Sequence, residues 1–254
     1  MQIDILTLFP EMCESVLSES IIGRARAAQK VTIVCHNIRD YTTDKHNRVD
    51  DAPYGGGMGM IIQAQPVFDC LKSVCDKSQN KPHVIYLSPK GRPFNQKKAV
   101  ELSKKQNIAM ICGHYEGIDE RVLEETVDEE ISLGDFVLTG GEIAAIAVTD
   151  AVCRLLPGVL SDDSCFIEES HYNSLLEYPQ YTRPAIWHNK AVPEVLLSGH
   201  HANIVKWRHE QSLITTLKKR PDLLNSADLT KKDIELLNKE KHKLSNSDCN
   251  IPKD

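Results

Sequence analysis

The 254-residue chain has no apolar run of about 18 residues, so no membrane-spanning helix is expected. Its first segment, residues 2–9, is apolar but carries neither a basic leader nor a small-residue cleavage site; it reads as a strand, not a secretion signal. No CxxC pair occurs, and the eight cysteines are scattered, several inside apolar runs such as Ile33-Val34-Cys35 and Met110-Ile111-Cys112. That distribution gives no zinc site and suits small buried thiols in a reducing cytoplasm. No G-x-G-x-x-G follows the first strand, which speaks against dinucleotide enzymes and Rossmann-type methyltransferases. Gly55-Gly56-Gly57-Met58-Gly59-Met60 lacks the Gly-Lys-Ser/Thr ending of a phosphate-binding loop. It remains either a loop that closes on some ligand or a structural glycine turn. There is no internal repeat. The formal charge of −6 gives no general attraction to nucleic acid, and DNA is not expected as a partner, although binding uses patches rather than sums.

What is present is the composition of a soluble globular protein, 41% hydrophobic and 26% charged, long enough for one large domain or two modest ones. Apolar runs at 3–9, 31–36, 84–87 and 108–112 alternate with helical patterns at 10–29, 66–76, 95–106 and 119–126. This predicts an α/β fold with a parallel sheet covered on both faces, and ligands outside the carboxyl ends of the strands. The turns 88–91, 113–117 and 134–141 meet that description. Residues 37–63 form a long segment of low regularity, of the kind that is functional or mobile. The stretch from Ser132 to Glu142 begins extended and apolar and ends in paired glycines, with Thr139 and Glu142 in capping-box spacing ahead of a buried helix 143–156. Such a turn either presents backbone to a ligand or is merely tight. Arg154, near the end of that helix, either pairs with Asp150 or holds an anionic or carbonyl group.

After Gly158 the chain becomes polar and acidic, reading as an interdomain linker that contains Asp162, Asp163, Glu168 and Glu169. These are solvated surface unless the linker folds over a cleft, where one could act as a general base. The remainder reads as helical, with helices at 201–219 and 230–243, the latter capped by Thr230 and Asp233. His200, His201, Lys206, Arg208 and His209 surround Trp207, followed by Lys218-Lys219-Arg220. They make either an RNA-facing surface or an ordinary amphipathic helix with Trp207 in the core.

Several segments together resemble the bacterial tRNA (guanine-37, N1)-methyltransferases, a SPOUT-class family. They are residues 4–11, 50–60, 86–91, 113–121 and 132–142, then 154–160, 181–184, 195–201 and Trp207-Arg208. The match is collinear from residue 1 to about 244. The resemblance implies a deep trefoil knot in a catalytic domain at 1–160, a linker at 161–175, a C-terminal α-helical domain at 176–245 that grips the tRNA anticodon arm, and a disordered tail at 246–254. It implies a cytoplasmic homodimer with each active site at the subunit interface, and S-adenosylmethionine as methyl donor. The implied donor pocket is Tyr86, Leu87, Ser88, Pro89, Gly113, Tyr115, Glu116, Leu133, Gly134, Asp135, Phe136, Val137, Leu138, Gly140 and Gly141. Magnesium assistance is reported for the family, but the sequence shows no metal-ligand cluster.

Guanine N1 carries a proton when neutral, so a carboxylate must take it, while an arginine can stabilise the charge that builds on O6. The resemblance assigns the arginine to Arg154. The family typically has Asp followed by Ser in the linker; here the pair is Glu169-Ser170, preceded by Glu168. Glu169 is therefore the expected base, with Glu168 as its substitute. The consequence implied by resemblance is protection of the reading frame. Two rivals remain: a knotted methyltransferase for another RNA nucleotide, and a non-catalytic RNA-binding protein.

Overall fold

In the computed structural model, which describes residues 1–162 and 169–248, the apolar runs of the N-terminal part become one parallel sheet. The chain divides into two units, Met1–Asp163 and Ser164–Asp254. The first opens with β1 (Gln2–Thr7), α1 (Pro10–Leu17), α2 (Ser20–Ala27) and β2 (Thr32–Asn37). A short pair, β3 (Asp50–Asp51) and β4 (Ile61–Ile62), precedes α3 (Ala64–Lys77). Then come β5 (His83–Pro93), α4 (Gln96–Leu102), β6 (Asn107–Cys112), α5 (Glu120–Thr126), β7 (Glu129–Ser132) and α6 (Glu142–Cys153).

The strand order is β2-β1-β6-β5-β7, with every pairing parallel. Successive side chains leave a strand on opposite faces, so each apolar run feeds two cores. Ile3, Ile5, Ile85, Leu87 and Met110 pack with residues of α1, α2, α4 and α6 on one face. Leu6, Val84, Tyr86, Ala109 and Ile111 pack with α3 and α5 on the other.

β5 meets β7 twice: Ile85–Leu87 run beside Glu129–Ile131, then Arg92 and Pro93 pair with Ile131 and Ser132, with the register broken between Leu87 and Arg92. At this crossing a Cβ on Gly91 would stand 2.5 Å from the backbone nitrogen of Ile131, so only glycine fits without a shift of the chain.

Several expected boundaries move. The single helix expected at 10–29 is two, because Ser20 adopts a positive φ of 53° and α2 folds back until Gly23 touches the Ser18 carbonyl, where a Cβ would collide. The segment 37–63 is not structureless: it holds a 3-10 turn at Ile38–Tyr41 and the β3–β4 pair, and Gln63 donates to the Val49 carbonyl at 2.7 Å. The extended part of 132–138 is short, since β7 ends at Ser132.

In the second unit, β8 (Ile186–Trp187) and β9 (Lys190–Ala191) form a hairpin where helix was expected. His188 and Asn189 both have positive φ, which is the backbone of a two-residue primed turn. α7 (Glu194–Leu197), α8 (His201–Lys219) and α9 (Lys231–Asp248) follow, with Leu213, Leu217 and Leu237 as the core. Leu175 packs against that core, His171 donates to the Leu175 carbonyl, and Glu177 N–H donates to Ser170 Oγ. Residues 169–175, read as linker, are thus built into the second unit. α9 runs past 243 into the expected tail; Asp163, Glu168 and the tail from 249 onward lie outside the described residues. Among the described residues no helix is long and apolar enough to cross a membrane.

Candidate active site

Strands β6, β5 and β7 stand side by side, and the middle of β5 together with the turns after β6 and β7 encloses a cavity of about 720 Å³, within the range of small-molecule sites. Tyr86, Leu87, Ser88 and Pro89 line it from β5, which runs on through the expected turn at 88–91 with only a break in its register; Gly113, Tyr115 and Glu116 line it from the turn after β6. Leu133, Phe136, Val137, Leu138, Gly140 and Gly141 line it from the turn before α6. Gly134 and Asp135 belong to that last turn but are not on the cavity wall.

The turns are fixed to one another by backbone. Gly141 N–H donates to the Gly113 carbonyl at 2.9 Å, and Glu116 N–H donates to the Met60 carbonyl at 3.0 Å. Tyr115 is held with a positive φ of 58°, which lets the chain reverse after Gly113. A Cβ on Gly113 would lie 2.8 Å from the Tyr86 hydroxyl, and one on Gly141 would lie 2.7 Å from Cys112 Cα. These two glycines are therefore steric requirements of the site. Burial, and then the charges of Glu130 and Glu120, push the Tyr86 phenol up to about 12, so it stays neutral.

The expected capping box of Thr139 and Glu142 does not form. Gly141 is the N-cap of α6 without a side-chain bond, and Glu142, only 3% exposed, instead accepts a hydrogen bond from Thr7 Oγ1 at 2.7 Å. A tertiary donor on β1 takes the carboxylate that local spacing had assigned to the helix start.

The cavity also has walls that the sequence reading missed. Asp119, Glu120, Arg121 and Leu123 contribute from the start of α5, Glu130 from β7, and Pro53 and Tyr54 from the glycine loop. Strand alternation puts Glu130 on the same face as its pairing partner Tyr86, a pairing that only the order of strands in space supplies.

The family described as tRNA (Guanine-1)-methyltransferase TrmD matches residues 1–226. The chain belongs to this family. A tRNA (guanine-N(1)-)-methyltransferase of Ruminiclostridium cellulolyticum is 58% identical over 225 residues, 89% of this chain and 97% of the relative. Proteins of the same description from Clostridium botulinum and Clostridium novyi are 58% and 57% identical over 237 residues, 93% of this chain and 97% of each relative.

Arg154 belongs to the first unit but is not among the described residues of the cavity wall. Arg154 is the half-buried C-cap of α6, its N–H donating to the Asp150 carbonyl at 3.1 Å. Glu169 is half-buried in the second unit. His200, the N-cap of α8, and His201, Lys206, Lys218 and Lys219 on it are exposed. Arg208 and His209 are committed within the unit: the Arg208 guanidinium lies 4.9 Å from the Tyr178 ring centroid, and His209 Nε2 lies 2.8 Å from Asp233 Oδ1. Trp207 is half-buried, 6.4 Å from Tyr181.

Proposed function

We propose that this methyltransferase transfers a methyl group from S-adenosylmethionine to N1 of the guanine at tRNA position 37, in the cytoplasm. The observation that carries the reading is the convergence of three distant segments, residues 86–89 of β5, the turn after β6 and the turn before α6, on one cavity in a chain of this family. The cavity fits the donor. Its apolar walls suit an adenine, its glycines leave backbone polar groups within reach, and Oε2 of Glu130 is buried with no partner among the described residues.

When bound, S-adenosylmethionine supplies a methyl carbon made electrophilic by its positive sulfur. Glu169 takes the proton from guanine N1, freeing the electron pair that forms the new N–C bond as the methyl–sulfur bond breaks and its electrons stay on the departing neutral sulfur. Arg154 balances the negative charge that builds on O6. The exposed basic residues of α8 contact the phosphates of the anticodon arm. Among the described residues no group of three side chains is placed to hold a metal ion.

The finer fold reading is a trefoil knot. It is supported by the double pairing of Ile131, with Leu87 and with Arg92, and by Gly91 pressed against the β7 backbone. The homodimer reading is supported by exposed Phe9, Met12 and Val16, which fall at helical spacing along one side of α1.

The test is methyl transfer from labelled donor to an unmodified tRNA transcript by wild type, Glu169→Gln and Arg154→Ala. The wild type transfers one methyl per tRNA, and each variant slows single-turnover transfer at least about a hundredfold. A Glu169→Gln variant as fast as wild type would remove Glu169 from the role of base.

A further inference from the structure

Glu130 sits on β7 opposite Tyr86 of β5, on the face that lines the cavity. Its neighbour Ile131 belongs to the core cluster that contains α6 residues. Glu130 is half-buried; its Oε2 is closed off from solvent and has no hydrogen-bond partner among the described residues. A buried carboxylate oxygen without a donor is destabilising, and such positions persist where a ligand completes them. Its charge is felt nearby, since it helps to raise the Tyr86 phenol. Glu116 and Glu120 stand on the same wall, whereas Asp119 is matched by Arg121 at 2.6 Å, and Lys90 is the remaining lysine or arginine of the lining. The cavity wall thus carries a surplus of negative charge.

We propose that Glu130 is a specificity-determining residue that makes this cavity prefer the cationic methyl donor over the demethylated product. The proposal rests on the cavity being the donor site. Donor and product share the adenosine and the amino-acid tail, so the apolar walls and the backbone groups hold both alike. They differ by one methyl group and one positive charge on sulfur. A half-buried carboxylate whose Oε2 is closed off from solvent, with no partner among the described residues, distinguishes them, because its attraction to the sulfonium acts on the donor alone and is less screened than at an open surface. Folding has already stripped the water from Oε2, so the bound cation gains the attraction without that desolvation being repeated. Once the methyl has left, the sulfur is neutral and the same carboxylate no longer holds the ligand, which favours emptying of the site.

The experiment is isothermal titration calorimetry of S-adenosylmethionine and S-adenosylhomocysteine with the full-length wild type, Glu130→Gln and Glu130→Asp. The wild type binds the donor at least tenfold more tightly than the product. Glu130→Gln loses about tenfold in donor affinity and less than twofold in product affinity, and Glu130→Asp, which keeps the charge, keeps the preference. The unliganded Glu130→Gln protein melts at the same temperature as wild type or higher, because a half-buried charge with no partner among the described residues has been removed. Equal weakening of both ligands would assign the carboxylate to a group they share and overturn the proposal, as would no change in either. A wild type that binds neither ligand would instead overturn the donor-site reading, and this proposal with it.

Discussion

At the scale of single residues, the site depends on what lies directly beneath its glycines. Gly113 rests on the Tyr86 hydroxyl, so Gly113→Ala must displace the ring or the turn. Gly113→Ala is expected to weaken S-adenosylmethionine binding at least tenfold in calorimetry, with a smaller effect on melting temperature; unchanged affinity would mean the turn tolerates the shift. Buried Glu142 makes a different demand. Thr7→Val leaves its carboxylate without the Oγ1 donor, and should lower stability by about 1–3 kcal/mol in urea unfolding. The glycines were legible in the sequence because a missing Cβ has a local meaning. The Thr7–Glu142 bond was not, because its partners are 135 positions apart and local spacing suggested a helix cap instead.

At the scale of elements, local chemistry decides where it has no competitor. Thr230 and Asp233 cap the start of α9 as their spacing predicted, with Asp233 Oδ2 accepting from Thr230 N–H at 2.9 Å and from Thr230 Oγ1 at 2.7 Å. Burial alone would raise the Asp233 carboxyl, but these hydrogen bonds and the contact with His209 outweigh it and hold the group below its ordinary range. Its stabilising contribution is therefore full above the unfolded value, about 3.9, and is lost as pH falls through the lower folded value. Asp233→Ala should cost about 1–2 kcal/mol at neutral pH, with the gap to wild type closing in strong acid, as read by urea unfolding across pH. The β8–β9 hairpin was missed because two-residue strands carry too little alternation to register. The break at Ser18–Ser20 was missed because nothing in the local sequence demands a positive φ at a serine.

At the scale of the whole molecule, the parallel sheet was legible because strands buried on both faces must be continuously apolar, and four such runs separated by helices allow few arrangements. The extra walls of the cavity were not, because Asp119 to Arg121, Glu130 and Tyr54 reach it only through the order of strands in space. The apolar side of α1 calls for a covering surface. Under the homodimer reading, Met12→Glu combined with Val16→Glu gives a monomer in sedimentation velocity and a loss of methyl transfer of at least tenfold. A monodisperse wild-type monomer with full activity would contradict that reading.

The most direct test of the central claim is nucleoside analysis of an unmodified tRNA transcript with guanine at positions 36 and 37, after incubation with the enzyme and S-adenosylmethionine. The parallel reaction uses the same transcript with adenine at 37. The account predicts 1-methylguanosine from the first transcript, one per molecule, and none from the second. Methylation that survives the change at 37, a methyl group on another guanine atom, or binding of tRNA with no methylated nucleoside would contradict it.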